Sequence, residues 1–238
     1  MALILSIETS ERFCSAAVSR NYDLIGTLEI KDEKSHASLL TVLIQKLFAE
    51  KEINLKEIDA VAISKGPGSY TGLRIGVSVS KGICYALNVP LISINTLQVL
   101  CHALLKNEKS KFIKSSESNF ILCPMIDARR MEVYMAFFDK KGEQKNDITA
   151  TLVQENSFSD LLKLNNIVFF GSGAEKCKNI IQHKNAFYFD NIWPNAIDMI
   201  SLAYDSYLLK SFENTAYFEP FYLKDFVATI PKKKIEVI

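Results

Sequence analysis

The sequence predicts an α/β fold made of two related halves, each with a β-β-β-α-β-α plan. Two series of apolar strands and helices support this prediction, and a polar stretch between Lys106 and Ser118, rich in Lys, Ser, Glu and Asn, separates them. The third observation is the junction at 65–76, where four of the chain's nine glycines lie between two apolar runs. We therefore place an N-terminal half at 1–106 and a C-terminal half at 107–238.

Apolar runs bounded by turn residues predict the strands, and apolar positions at helical spacing predict the helices. In the first half the strands are expected at 3–8, 13–18, 24–30, 58–63 and 90–94, and the helices at 35–50, 71–87 and 96–105. In the second half the strands are expected at 120–126, 131–138, 148–154 and 167–170, and the helices at 157–164, 174–182 and 195–209. Ser35 is a plausible N-cap of the first helix, and Ser69 or Thr71 can cap the second.

Composition limits the classes of function. The chain has 28 Lys and Arg residues against 27 Asp and Glu residues, so no overall charge favours nucleic acid, and we expect no strong RNA binding by this chain alone. Its five cysteines are scattered without a C-x-x-C pair, which predicts neither a disulfide framework nor a zinc site. No signal peptide and no apolar run long enough to cross a membrane is apparent, so a cytoplasmic protein is expected.

The helix after the junction carries small residues at every fourth position, Gly72, Gly76 and Ser80, which therefore share one face. Glycine inside a helix costs about 1 kcal/mol relative to alanine, so this row implies close packing. The packing can be against the chain's own sheet or against a partner subunit. The glycine spacing does not match a phosphate-binding loop, because Thr71 stands where the last glycine is needed and no Gly-Lys-Ser/Thr follows.

Five motifs, in this order, resemble the TsaB (YeaZ) family, accessory subunits of the bacterial tRNA threonylcarbamoyladenosine (t6A) machinery. They are Ile7-Glu8-Thr9-Ser10, Ser35-His36, the run from Gly66 to Gly76, the run from Asp127 to Tyr134, and Pro220-Phe221-Tyr222-Leu223-Lys224. The departures are mild: Glu8, Tyr70 and Lys224 stand where aspartate, phenylalanine and arginine are common. The resemblance covers essentially the whole chain.

The resemblance implies the actin-like, Hsp70-like and sugar-kinase-like (ASKHA) fold. It also implies a non-catalytic scaffold, without a cofactor, for the catalytic paralogue TsaD in threonylcarbamoylation of adenosine 37 of tRNAs reading ANN codons. The resemblance also implies a TsaE-like ATPase as a partner, and a homodimer of this chain when TsaD is absent. It implies contact with tRNA only through the complex, and no contact with a membrane. TsaC-like synthase completes the pathway.

The predicted partner surface comprises the first two helices. Its residues are Gly72, Leu73, Arg74, Ile75, Gly76, Val79, Ser80, His36 and Leu40. A weak nucleotide contact is predicted at Glu8, Thr9 and Ser10, where ASKHA proteins place an acidic residue near magnesium and hydroxyls near phosphate.

The alternative is an enzyme, either ATP-binding or metallopeptidase-like, that uses its own interdomain cleft. The sequence favours the scaffold, because the metal-binding paralogue has two histidines at i and i+4, whereas Leu40 follows His36 at that spacing. A glycine that would admit phosphate at the first turn is also missing. No metal site is predicted.

Two charged features have alternatives. Asp127 and Arg129 at a hairpin tip are expected to form an ion pair that fixes the turn, or else to contact a partner or tRNA. Lys232-Lys233-Lys234 is expected to be a solvated end, with a loose RNA contact as the alternative.

Overall fold

The computed structural model describes residues 1–31, 36–116 and 118–224. The first half contains a five-stranded sheet in the order β3-β2-β1-β4-β5, in which β1 pairs antiparallel with β2 and parallel with β4. Its strands are β1 (Leu3–Glu8), β2 (Cys14–Arg20), β3 (Asp23–Ile30), β4 (Ala60–Gly66) and β5 (Leu91–Asn95).

The second half repeats this topology. Its strands are β6 (Phe120–Asp127), β7 (Glu132–Met135), β8 (Thr149–Leu152), β9 (Asn166–Phe170) and β10 (Ala186–Phe189). They are arranged as β8-β7-β6-β9-β10, with β6 antiparallel to β7 and parallel to β9. Each half thus places its first strand at the centre, its next two on one side and its last two on the other, which confirms the predicted ASKHA-like fold.

Seven helices cover or separate the sheets in the described part of the chain. They are α1 (His36–Glu50), α2 (Tyr70–Leu87), α3 (Thr96–Lys106), α4 (Lys111–Ser115), α5 (Ser159–Leu164), α6 (Ser172–Cys177) and α7 (Ile200–Leu208). Short 3-10 turns lie at Leu55–Glu57, Glu108–Ser110 and Ala196–Met199. No helix among these residues combines the length and the apolar content needed to cross a membrane.

The layers follow from the alternation of side chains along the central strand. Leu5 and Ile7 of β1 pack with α1 and α2 in one core, whereas Ile4 packs with α3 and α7 in another. The opposite face of α3 packs on the second sheet, and α5 and α6 cover that sheet's far side. The helices α1 and α2 therefore form an outer layer of the molecule.

Several predicted elements differ from the structure. The predicted helix at 195–209 is a 3-10 turn followed by α7, the predicted helix at 174–182 is the six-residue α6, and β10 was not predicted. Ser69 caps α2, since its Oγ accepts a hydrogen bond from the Gly72 N–H at 3.3 Å. The proposed cap Ser35 and the Lys232–Lys234 run lie outside the described residues.

Candidate functional site

A groove runs between α1 and α2 on the outer side of the first sheet. It has a volume of about 650 Å³, and its lining is mainly apolar, including Ile44, Phe48, Ile53, Val79, Ile83 and Leu87. Val42 on α1 and Tyr85 on α2 add exposed apolar surface, with exposed fractions of 53% and 88%. An apolar concave surface of this kind is typical of a protein interaction site.

The residues predicted to bind a partner divide into two sets. Arg74 is exposed, and Ile75 and Val79 are partly exposed. Those buried inside the chain are Gly72, Leu73, Gly76, Ser80 and Leu40. The side chain of His36 lies outside what the structure describes. Only part of the predicted set is therefore available to another protein in this conformation.

The small-residue row of α2 faces the chain's own first sheet. A Cβ atom at Gly72 would collide with the carbonyl oxygen of Thr9, and one at Gly76 would collide with Thr9 Oγ1 and lie 2.8 Å from Ile63 Cδ1. The row therefore serves internal packing. The expectation that Gly72, Gly76 and Ser80 offer a partner close approach is wrong, because Thr9 and Ile63 lie against the two glycines and Ser80 is fully buried.

The turn after β1 is sealed by the start of α2. Glu8, Thr9 and Ser10 are all fully buried. Thr9 Oγ1 donates a hydrogen bond to the Gly72 carbonyl at 2.8 Å, and the Ser69 N–H donates one to the Ser10 carbonyl at 2.6 Å. The predicted nucleotide contact at these three residues is therefore corrected: in this conformation the chain itself fills the space beside them.

Burial also explains the electrostatics of this turn. It raises the pKa of Glu8, against the opposing effect of hydrogen bonds from Ser10, whose N–H lies 2.6 Å from Glu8 Oε1. Burial is likewise the main reason that the pKa of Glu11 is raised to about 8; the hydrogen bond from Ser172 opposes this shift, and the carboxylates of Glu8 and Asp127 add to it. Shifted carboxyl groups often mark catalytic sites, but here desolvation is the main cause of both shifts.

Glu11 joins the two halves of the fold. The Ser172 hydroxyl donates a hydrogen bond to Glu11 Oε1 at 2.9 Å and accepts one from the Asp127 N–H at 2.9 Å. Ser172 is the first residue of α6, so a turn of the first sheet is tied to a helix of the second half.

We expect this link to make stability dependent on pH. Because Glu11 has a pKa of about 8 in the folded protein against 4.5 when solvated, the folded state binds more protons between these values. Its contribution to stability is complete below the lower value and is lost as the pH rises through about 8. Glu11→Gln, which stays neutral and can still accept from Ser172, should show a weaker decline.

Thermal unfolding of both proteins across this pH range measures the difference. Equal pH dependence in the two proteins would show that Glu11 does not titrate with a raised pKa.

The hairpin tip after β6 is held by a residue that sequence reasoning missed. Lys176 on α6, not Arg129, forms the ion pair with Asp127. Arg129 contributes its backbone N–H, which donates to Asp127 Oδ1 at 2.8 Å. The predicted Asp127–Arg129 ion pair is therefore wrong, since the lysine reaches the carboxylate from 49 positions away in the sequence.

The family model described as TsaD, tRNA N6-adenosine threonylcarbamoyltransferase, matches residues 29–232. The chain belongs to the TsaD family. The match includes α1, α2 and the groove between them, together with almost all of the second half.

Several similar curated proteins are named tRNA threonylcarbamoyladenosine biosynthesis protein TsaB. The Escherichia coli K12 protein is 25% identical over 94% of this chain and 96% of its own length. The Haemophilus influenzae protein is 25% identical over 93% of each chain, and one from Buchnera aphidicola of Acyrthosiphon pisum is 28% identical over 83% of this chain and 86% of its own.

A solved structure of YeaZ from Pseudomonas aeruginosa has the same fold, with a TM-score of 0.73 and 23% identity over 94% of this chain and all of that chain. The resemblance to TsaB and YeaZ that the motifs predicted is thus confirmed.

Some groove residues of this family member were not singled out by sequence. Gly82, Ile83 and Ala86 line the groove, and apart from its chain neighbours and the nearby backbone of α2, Gly82 has no atom within 4 Å of where its Cβ would stand. The available signal was the spacing of Val79, Ile83 and Ala86, which places them on one side of α2. In the described ranges no three His, Cys, Asp or Glu side chains are grouped so that they could share a metal ion.

Proposed function

We propose that this protein is a non-catalytic accessory subunit in t6A biosynthesis, and that it binds a TsaD-like catalytic paralogue through the outer face of α1 and α2. The groove between these helices is the observation that carries the proposal. The family match and the names of the relatives support the t6A assignment.

The position of the groove in the layers supports its role as an interface. The inner faces of α1 and α2 are used by the first sheet, while Val42, Tyr85 and the groove lining remain on the outside. Stable interfaces bury about 1,600 Å² in total and contain a compact apolar centre. Two adjacent helices, of 15 and 18 residues, provide a surface suited to such a contact.

The occupant that we propose is the paralogue rather than an unrelated protein. Through the family resemblance it shares the ASKHA fold, so it carries an equivalent pair of outer helices. Two related chains can then pair about a pseudo-twofold axis, as identical chains pair about a true one. A homodimer through the same surface is the corresponding arrangement when the paralogue is absent.

A non-catalytic role is supported by the turn after β1. Glu8, Thr9 and Ser10 are enclosed by the start of α2, and the raised pKa of Glu8 follows from burial. Their arrangement favours a structural role over the alternative of an ATP-binding or metallopeptidase-like enzyme. In this proposal the TsaE-like ATPase joins the complex, and tRNA is engaged by the assembled complex in the cytoplasm.

Reconstitution tests the proposal. The chain, the paralogue and both together are supplied with threonylcarbamoyl-adenylate and tRNA, and modified adenosine is measured by mass spectrometry of nucleosides, with complex formation followed by gel filtration. We expect a stable complex, no transfer by this chain alone, and at least about a 10-fold increase when it joins the paralogue. Transfer by this chain alone, or an unchanged rate with no complex, would overturn the proposal.

A further inference from the structure

The hairpin tip between β6 and β7 displays two arginines in an unfavourable backbone conformation. Arg129 has φ 70° and Arg130 has φ 52°, both in the left-handed region that disfavours residues with a side chain. Both side chains are exposed, and neither guanidinium makes a hydrogen bond or ion pair with the described residues. Gly and Asn are the residues favoured at such positions of a turn.

The tip is held rigidly by groups other than these guanidiniums. Lys176 Nζ donates to the Arg130 carbonyl at 2.8 Å and to the Glu132 carbonyl at 2.7 Å, and it also pairs with Asp127. The Glu132 N–H closes the turn on the Arg129 carbonyl at 3.2 Å. The backbone is thus fixed while the arginine side chains remain available, which is the arrangement of a preorganised ligand contact.

The acidic groups beside the tip are already engaged. Asp127 pairs with Lys176, Glu132 pairs with Lys224, and Glu11 accepts from the Ser172 hydroxyl. Among the described residues neither arginine forms an ion pair with these carboxylates, so both guanidiniums are available to an anion. Arginine binds phosphate oxygens through paired N–H donors, so an anionic ligand is the chemistry that this tip fits.

The neighbouring tail favours RNA over an acidic protein. The Lys224–Glu132 pair brings the segment at 221–224 to the tip, and the exposed ring of Tyr222 lies 5.0 Å from the ring of Tyr70. The guanidinium of exposed Arg74 lies 4.8 Å from the centre of the Tyr70 ring. Aromatic and guanidinium planes next to phosphate-binding groups are typical of surfaces that hold unpaired RNA bases.

We propose that Arg129 and Arg130 bind the phosphodiester backbone of an RNA strand with unpaired bases, as in a tRNA loop. This inference rests on the proposed function, because tRNA is the RNA that such a complex holds. It assigns to the accessory subunit a direct share of the RNA contact, which its near-neutral overall charge does not predict. The contribution is local and adds to that of the paralogue.

Four versions of the full chain test this proposal, each in complex with the paralogue. They are the wild type, Arg129→Gly with Arg130→Gly, Arg129→Lys with Arg130→Lys, and Arg20→Ala. Glycine suits the left-handed backbone, so the glycine pair removes both cations without disturbing the turn. Arg20, at the exposed end of β2 opposite the turn after β1, is the matched control. The affinity for a fluorescein-labelled tRNA is measured by anisotropy over a series of salt concentrations.

We expect the glycine pair to weaken tRNA binding roughly 10- to 100-fold and to reduce the slope of log K against log salt by about 1.4 to 1.8. The lysine pair should retain most of the slope, and Arg20→Ala should match the wild type. Complex formation, followed by gel filtration, should be the same for all four.

Unchanged tRNA affinity in the glycine pair overturns the proposal. If the glycine pair loses binding to the paralogue while its tRNA affinity is unchanged, the proposal is also overturned, and the hairpin tip is then a contact for the paralogue. If the wild type forms no complex with the paralogue, the proposed function fails, and tRNA binding by the four chains alone is then measured at low salt. Weaker binding by the glycine pair than by the wild type would support the RNA contact at Arg129 and Arg130. Equal binding by all four chains, or no binding by any of them, would reject it.

Discussion

Replacing Gly76 by leucine is expected to destabilise the whole protein, by about 3 kcal/mol or more. Gly76 lies on α2 where the helix crosses the end of β1, and even one added carbon would meet Thr9 Oγ1 and Ile63 Cδ1. Thr9 lies in the turn after β1 and Ile63 lies in β4, and both are fully buried, so neither can move aside without opening the core. Overpacking of this kind forces shifts in the backbone as well as in side chains.

Gly72→Ala tests the same contact with the smallest possible change. Its methyl group would meet the carbonyl oxygen of Thr9, a backbone atom that a change of rotamer cannot move. We expect a loss of about 2 kcal/mol. Gly82→Ala is the matched control in the same helix, because its Cβ has no atom within 4 Å; it should gain about 0.5 to 1 kcal/mol from helix propensity alone.

Urea unfolding followed by circular dichroism measures the free energy of unfolding of all three variants. Equal stability of Gly76→Leu and the wild type would show that α2 does not pack on the sheet through its small residues.

The strand and helix pattern of this chain could be predicted because it depends on local periodicity. The three-strand openings of both halves and the helices α1, α2 and α3 follow from apolar spacing and turn residues. The strand β10 was missed because its four residues, Ala186 to Phe189, are too few to establish a period. The repeated topology supplies the missing reason, since β10 occupies the same place as β5.

The direction in which a helix face points could not be predicted. Periodicity placed Gly72, Gly76 and Ser80 on one face, but a row of small residues can pack either against the chain's own sheet or against a partner subunit. The structure decides for the sheet, because Thr9 and Ile63 lie against that row. The same limit applies to contacts such as Lys176 with Asp127, which join distant segments and leave no local pattern.

The outward face of α2 carries the interface that we propose, and Gly82→Leu is expected to block it without unfolding the chain. Gly82 lines the groove beside Ile83 and Ala86, and space is open where its side chain would stand. The leucine should occupy part of the groove beside α2 and also improve helix propensity by about 0.8 kcal/mol. A partner helix that binds in the groove would then clash with the leucine.

We expect Gly82→Leu to weaken paralogue binding by about 2 kcal/mol or more, roughly 30-fold, because groups at the centre of an interface dominate its energy. Gly82→Ala should lose much less, since one methyl group leaves most of the groove open. Lys163→Leu, on the exposed surface of α5 in the second half, adds a leucine far from the groove and should bind normally. Isothermal titration with the paralogue gives the affinities, and unfolding by urea confirms that each variant is folded. Normal binding by a folded Gly82→Leu protein would place the interface elsewhere.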